Sequence, residues 1–197
     1  MQPVQSEDRR IRRTRKLLMD ALIALSLKHG YEQVSIMDIT VRADVSYSTF
    51  FRHFPDKDAL LRAMTQEAID ALNTMVRDVP MDQPTQVGKL LFEHVEQHEA
   101  LYRVIMSSSE GNRVVQSVND SILQMVISGI QSRPNCAFPV EIVANHLVSG
   151  IMSLVRWWLE HHKPYPIAEM ARIYAEMIII PTERAAFGEI ESKQKPG

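Results

Sequence analysis

Apolar residues recur along the chain at three- and four-residue spacing, with no sustained two-residue alternation, so the sequence predicts an all-α fold of about nine helices without strands. Ile11, Thr14, Leu18, Ala21, Leu22 and Leu25 mark one face of a first helix, which ends at Gly30, a residue suited to a left-handed C-cap. Ser35 with Asp38 three residues later has capping-box spacing and starts a short second helix, Ile36 to about Ala43. Ser46 starts a third. Asp56 caps a fourth, whose apolar positions Leu60, Leu61, Met64, Ala68, Ile69 and Leu72 lead to a break at Pro80-Met81-Asp82-Gln83-Pro84. Further helices are expected near 85–98, 100–108, 112–132, 140–162 and 167–185, separated by turn residues around Pro134 and at Lys163-Pro164-Tyr165-Pro166. The last dozen residues read as a frayed tail.

Composition narrows the class. With 45% hydrophobic and 23% charged residues among 197, the chain reads as globular, and the run Ile142 to Leu159 is interrupted by Asn145, His146 and Arg156 short of the about 18 apolar residues a membrane span needs. No apolar leader resembling a signal peptide opens the chain, so a cytoplasmic location is expected. The lone cysteine, Cys136, reads as a packed thiol. The net charge of −2 hides an asymmetry: residues 1–54 carry nine Lys and Arg against six Asp and Glu, and residues 55–197 carry thirteen against eighteen. Arg9, Arg10, Arg12, Arg13, Arg15 and Lys16 form a basic block of the kind that meets nucleic-acid phosphates, or that merely solvates a helix start.

The stretch from Ser35 to Phe54 decides between those readings. It places a helix of about two turns, a tight turn at Asp44 and another short helix in succession, the layout of a helix-turn-helix. Ile36, Ile39 and Ala43 can pack inward on the first helix and Val45 and Phe50 anchor the second, which leaves Tyr47, Ser48 and Thr49 to face outward. Small hydroxyls and a tyrosine can approach base edges and phosphates without steric conflict.

At these residues the chain resembles the TetR family of bacterial transcriptional regulators. The resemblance runs from about Arg12 to Leu61, carried by Gly30-Tyr31, Ser35-Ile36-Met37-Asp38-Ile39, Ala43-Asp44-Val45-Ser46, Thr49-Phe50-Phe51-Arg52-His53-Phe54 and Lys57-Asp58-Ala59-Leu60-Leu61. Two positions depart from the family pattern: Asp44 stands where glycine is usual in the turn, and Phe51 where a tyrosine usually meets a phosphate. The resemblance implies a helix-turn-helix DNA-binding domain over 1–54, a helical effector-binding and dimerisation domain over 55–185, and a tail over 186–197. It implies that Ser35 contacts a phosphate, that Ser46, Tyr47, Ser48 and Thr49 lie in or beside the major groove with Tyr47 touching a base, and that Arg42 reaches a base or phosphate. Phe51 packs against the sugar-phosphate backbone on this reading. His53 and Lys57 hold phosphates, and Arg12 and its neighbours reach the flanking backbone or minor groove.

Residues beyond 80 are acidic on balance and rich in methionine and aromatics. Phe92, Tyr102, Met106, Met125, Trp157 and Trp158 are candidates to line a cavity for a small apolar or aromatic effector, or are plain core. Val143, Leu147, Gly150, Ile151, Leu154 and Trp158 stripe one late helix, and Ile167, Met170, Ala171, Tyr174 and Ile178 stripe the next. The resemblance makes these the homodimer contact; otherwise both stripes face the chain's own core. His94 and His98 are four apart, but no third ligand accompanies them, so neither a metal nor any other cofactor is expected. No phosphate-cradling glycine loop, nucleophile elbow or partnered carboxylate pair is present, which leaves an all-α enzyme as the weaker alternative to a ligand-responsive, operator-binding repressor.

Overall fold

The computed structural model describes residues 3–80, 82–107, 120, 123–124, 126–131, 133 and 135–188. They are overwhelmingly helical, and no strand occurs among them. The helices are α1 (Pro3–His29), α2 (Ile36–Ala43), α3 (Tyr47–His53), α4 (Lys57–Val76), α5 (Pro84–Gln97), α6 (Glu99–Ser107), α7 (Val140–Glu160), α8 (Ile167–Ile173) and α9 (Ile180–Phe187). A 3-10 turn (Tyr31–Gln33) follows α1, and a π-helical stretch (Tyr174–Ile179) joins α8 to α9. Residues 120, 123–124 and 126–131 are helical; the rest of the helix expected over 112–132 lies outside the described residues.

The chain divides into two compact units. The first holds the residues up to Ala71 together with those from His98 onward in α6; the second holds Leu72–Gln97 and the later segments. This division differs from the one expected at 54/55, because α6 contributes Leu101, Val104 and Ile105 to the N-terminal core. That core gathers Leu18, Ala21 and Leu22 of α1, Tyr31, Val34, Ile39 and Ala43, Phe50, Phe54, and Leu60, Leu61 and Ala68 of α4. Ile11, placed by periodicity on the inner face, is exposed instead, so the packed stripe of α1 begins deeper in the helix.

Local signals set the joints of this unit. Gly30 ends α1 at φ +84°, a backbone state that L side chains rarely adopt. The Ser35 hydroxyl accepts from the Asp38 amide at 3.1 Å, and the Asp38 carboxylate accepts from the Ser35 amide at 2.9 Å, which completes the capping box. Hydrogen bonds from the Ser35 side chain and backbone hold the Asp38 carboxyl below the usual carboxylate range. The box therefore contributes stability above the ordinary carboxylate pKa and loses it as pH falls through the depressed value. Asp44 takes the left-handed turn at φ 53°, ψ 47°, as the polar replacement for glycine permits.

In the second unit, α7 buries Val143, Ala144, Leu147, Val148, Val155, Trp158 and Leu159. By length and composition alone this helix is apolar enough to cross a membrane, contrary to the sequence reading. Its buried face contributes to that hydropathy, and a core helix meets the same test of length and composition. Phe92 meets Trp158 edge-on at 5.1 Å between ring centroids, and the Trp158 indole donates to the Tyr165 carbonyl at 2.9 Å. Cys136 is half-buried against the Ile127, Ile130 and Val143 cluster.

The π-helical stretch solves a problem of phase. Met170 and Ala171, then Tyr174 and Ala175, are buried, Ile178 and Ile179 are half-buried, and Ala186 is buried again. Inward pairs thus recur every four residues, whereas four residues of α-helix overshoot a full turn by about 40°. The wider i to i+5 turns absorb that drift, and they end at Pro181, whose missing N–H and bulky ring disfavour a regular turn before it.

Candidate nucleic-acid interface

α3 is a seven-residue helix held from beneath by Phe50, which is fully buried. Phe50 packs against Phe51 at 5.4 Å and Phe54 at 6.1 Å between centroids. With that side fixed, Tyr47, Ser48, Phe51 and Arg52 are exposed and Thr49 is half-buried, so the expected reading trio is not sealed inside the molecule. Ser46 caps the helix by accepting from the Thr49 amide at 3.2 Å. Its hydroxyl also lies 2.7 Å from that of Thr49 and 3.1 Å from that of Ser48. The Arg52 guanidinium donates to Thr49 Oγ1 at 2.9 Å. Hydroxyls and a guanidinium therefore share one short surface.

Arg52 is a site residue that the sequence reading misses. Its signal was positional: it stands four residues after Ser48 and three after Thr49, hence on the same helix face. Arg42 is exposed at the end of α2, and Arg9, Arg10, Arg12, Arg13 and Lys16 are exposed along α1. Arg15 is half-buried, stacked over Phe54 at 4.7 Å and paired with Glu67 at 3.2 Å.

Two expected phosphate contacts, Ser35 and Lys57, have other engagements, and a third, His53, is partly desolvated. The Ser35 hydroxyl donates to the Asp38 carboxylate at 2.6 Å, so its proton is turned toward an internal anion. Lys57 donates to the carbonyls of Tyr31 and Val34, each at 2.9 Å, and its ammonium lies 4.3 Å from the Tyr31 ring centroid. It braces the start of α4 against the 3-10 turn, as does the Tyr31 hydroxyl, which donates to Asp58. These two hydrogen bonds use two of the three donors of the ammonium. His53 is half-buried, and desolvation, with Arg15 and Arg52 nearby, holds its pKa below the ordinary imidazole value. At neutral pH it offers a neutral N–H rather than a cation.

The residues expected to line an effector cavity stand in different settings. Phe92 and Trp158 are fully buried and fill each other's space in the second unit. Trp157 is exposed there, stacked on His161 at 4.6 Å and near-parallel to Tyr165 at 6.1 Å. Tyr102 and Met106 are half-buried on α6 of the first unit, and burial pushes the Tyr102 phenol up to about 12. Met125 lies outside the described residues.

The expected dimer stripe is also redistributed. Val143, Leu147, Met170 and Tyr174 are buried in the chain's own interior, and Gly150 faces Ile178 of the same chain at 3.4 Å from an added Cβ. Ile151, Leu154 and Ile178 are half-buried. Of the two histidines four apart, only His94 lies within α5, which ends at Gln97. No cluster of three His, Cys, Asp or Glu able to hold a metal occurs among the described residues.

The family model for bacterial regulatory proteins of the tetR family matches residues 18–64, and one for a transcriptional regulator C-terminal region matches residues 82–179. The HTH-type transcriptional repressor KstR of Rhodococcus jostii is 31% identical over 81 residues, covering 41% of this chain and 38% of that protein. This chain thus aligns with well under half the length of that curated relative. A TetR transcriptional regulator from Streptococcus agalactiae shares the fold, with TM-score 0.68 at 20% identity over 89% of this chain and 98% of the other. So does FadR of Bacillus subtilis, solved with stearoyl-CoA, with TM-score 0.61 at 16% identity over 88% and 98%.

Proposed function

Because the chain belongs to the TetR family of bacterial transcriptional regulators, we propose that it binds a near-palindromic DNA operator as a homodimer, represses from it in the cytoplasm, and is released by a small apolar effector. The carrying observation is the exposed face of α3, where Tyr47, Ser48, Phe51 and Arg52 stand over a fully buried Phe50. Direct readout in the major groove needs such a short, rigidly backed helix with donors and apolar groups facing out. Arg42 and the α1 arginines supply the phosphate contacts that orient it. The repressor name of the R. jostii relative supports the sign of regulation, and the acyl-CoA bound to the B. subtilis neighbour supports an apolar effector.

Selection of duplexes from a random pool by the purified protein tests this reading. Recovery of a two-fold symmetric site, with half-sites about 34–36 Å apart, is the expected result. Recovery of no sequence would overturn it. Lys57→Ala is expected to flatten the slope of log affinity against log salt by about one and to lower thermal stability, since the ammonium serves both a phosphate and two carbonyls. An unchanged slope in a salt titration would confine Lys57 to its structural brace.

For the homodimer, the contact is assigned to Ile142 on α7 and Met177 and Ile180 on the last helical run, which are among the exposed apolar groups of the second unit; Ser149 and Ser153 are exposed small residues on α7. Met177 is 72% exposed. Met177→Asp is therefore expected to shift sedimentation from dimer toward monomer, because it sets two like charges across a symmetric contact. A dimer of wild-type strength would place the interface elsewhere.

A further inference from the structure

Tyr47 and Phe51 stand one helical turn apart on α3, with ring centroids 5.1 Å apart and planes inclined at 66°. They are 49% and 46% exposed, and Phe51 is in turn wedged edge-on against the buried Phe50. The three rings form a staircase from the core to the surface, so the outer two are held in place before any partner arrives. An aromatic held in this way gives up little side-chain freedom on binding.

The surroundings of this apolar step restrict what can cover it. Ser48 and Arg52 are exposed on the same short helix, and Arg42 and the α1 cations are exposed elsewhere in the same unit. An occupant must bring negative charge, hydrogen-bond acceptors and small apolar knobs together. A protein surface with a broad apolar face would bury Arg52 and Ser48 against carbon. The DNA major groove meets all three demands, since its phosphates are anionic, its base edges accept hydrogen bonds and each thymine projects a C5 methyl.

We infer that the Tyr47–Phe51 pair reads thymine methyl groups, which makes Phe51 a specificity-determining residue and not only a support. The inference rests on the operator-binding reading above. Phe51 lacks the hydroxyl with which a tyrosine would bond a phosphate, and its exposed ring can receive a methyl instead. Four residues of helix advance about 6 Å, close to two base-pair steps, so the two rings address thymines within about two steps of each other in each half-site.

The test uses the full chain and the duplex it selects from a random pool, prepared with thymine or with deoxyuridine, which lacks only the methyl. The wild-type protein is expected to bind the thymine duplex about fourfold more tightly per contacted methyl, or about 15-fold for two, the value of one buried apolar carbon each. Single deoxyuridine replacements should locate the loss at positions within two steps of each other. Phe51→Ala should bind the thymine duplex more weakly and discriminate less between the two duplexes. Equal wild-type affinity for both duplexes would overturn the inference while leaving operator binding intact, and the DNA-side comparison decides this even if Phe51→Ala folds poorly. Undiminished discrimination in a folded Phe51→Ala protein would assign the methyls to other residues and overturn it as well. Selection of no sequence would remove the operator reading and this inference together.

Discussion

Phe50→Ala is expected to lower the stability of the N-terminal unit by about 3–5 kcal/mol, the range for emptying a fully packed aromatic site. Phe50 is fully buried and touches the rings of both Phe51 and Phe54, so its loss opens a cavity and releases its neighbours at once. A domain whose whole stability is about 5–15 kcal/mol has little left after such a change. Denaturant melts of the full chain should show a separate early transition, and DNA retention should fall with the folded fraction. Phe50→Leu retains most of the volume and should recover much of both. A melt unchanged by Phe50→Ala would mean that α3 is not held by this ring, and the argument for its outward face would fail.

Gly88→Ala should destabilise the second unit by about 2 kcal/mol, although alanine in an open helix position stabilises by about 1 kcal/mol over glycine. A Cβ at Gly88 would lie 2.6 Å from the Tyr174 ring and 3.1 Å from both Cα and the carbonyl oxygen of Ala171. Tyr174 is buried and the Ala171 contact is backbone, so neither can swing aside. At Gly129 the same methyl meets nothing within 4 Å, and Gly129→Ala should stabilise by up to about 1 kcal/mol. Opposite signs for the two substitutions in paired melts are the expected outcome. Equal signs would mean that helix propensity, not the close packing of α5 against α8, governs Gly88.

The parts of this molecule legible in its sequence are those fixed by neighbours in the chain. The Ser35–Asp38 capping box, the left-handed Asp44 and the Ser46 cap each involve residues no more than four apart, and each stands where the pattern placed it. The outward Tyr47 and Ser48 followed from the same local periodicity. Contacts across longer separations were not legible. Lys57 reaches carbonyls 23 and 26 residues away, which no spacing rule announces. The apolar stripes holding Val143 and Met170 were visible, but periodicity reports that a face is apolar and not what covers it, and here the chain's own core does. The π-helical stretch left a faint trace in the four-residue repeat of inward pairs and in Pro181, both of which suit an ordinary helix well enough to pass unnoticed.

If α3 reads DNA as proposed, its brevity limits how much genetic address one copy can hold. Seven residues extend about 10 Å, which faces about three base pairs. A three-letter word recurs by chance about once in 64 positions, and two such words at fixed separation about once in 4,000. Against the millions of competing positions in a genome, that leaves many decoys. On the proposed operator reading, the missing information would lie elsewhere, in how easily the intervening duplex bends or narrows and in what the arginine-bearing start of α1 feels of its shape.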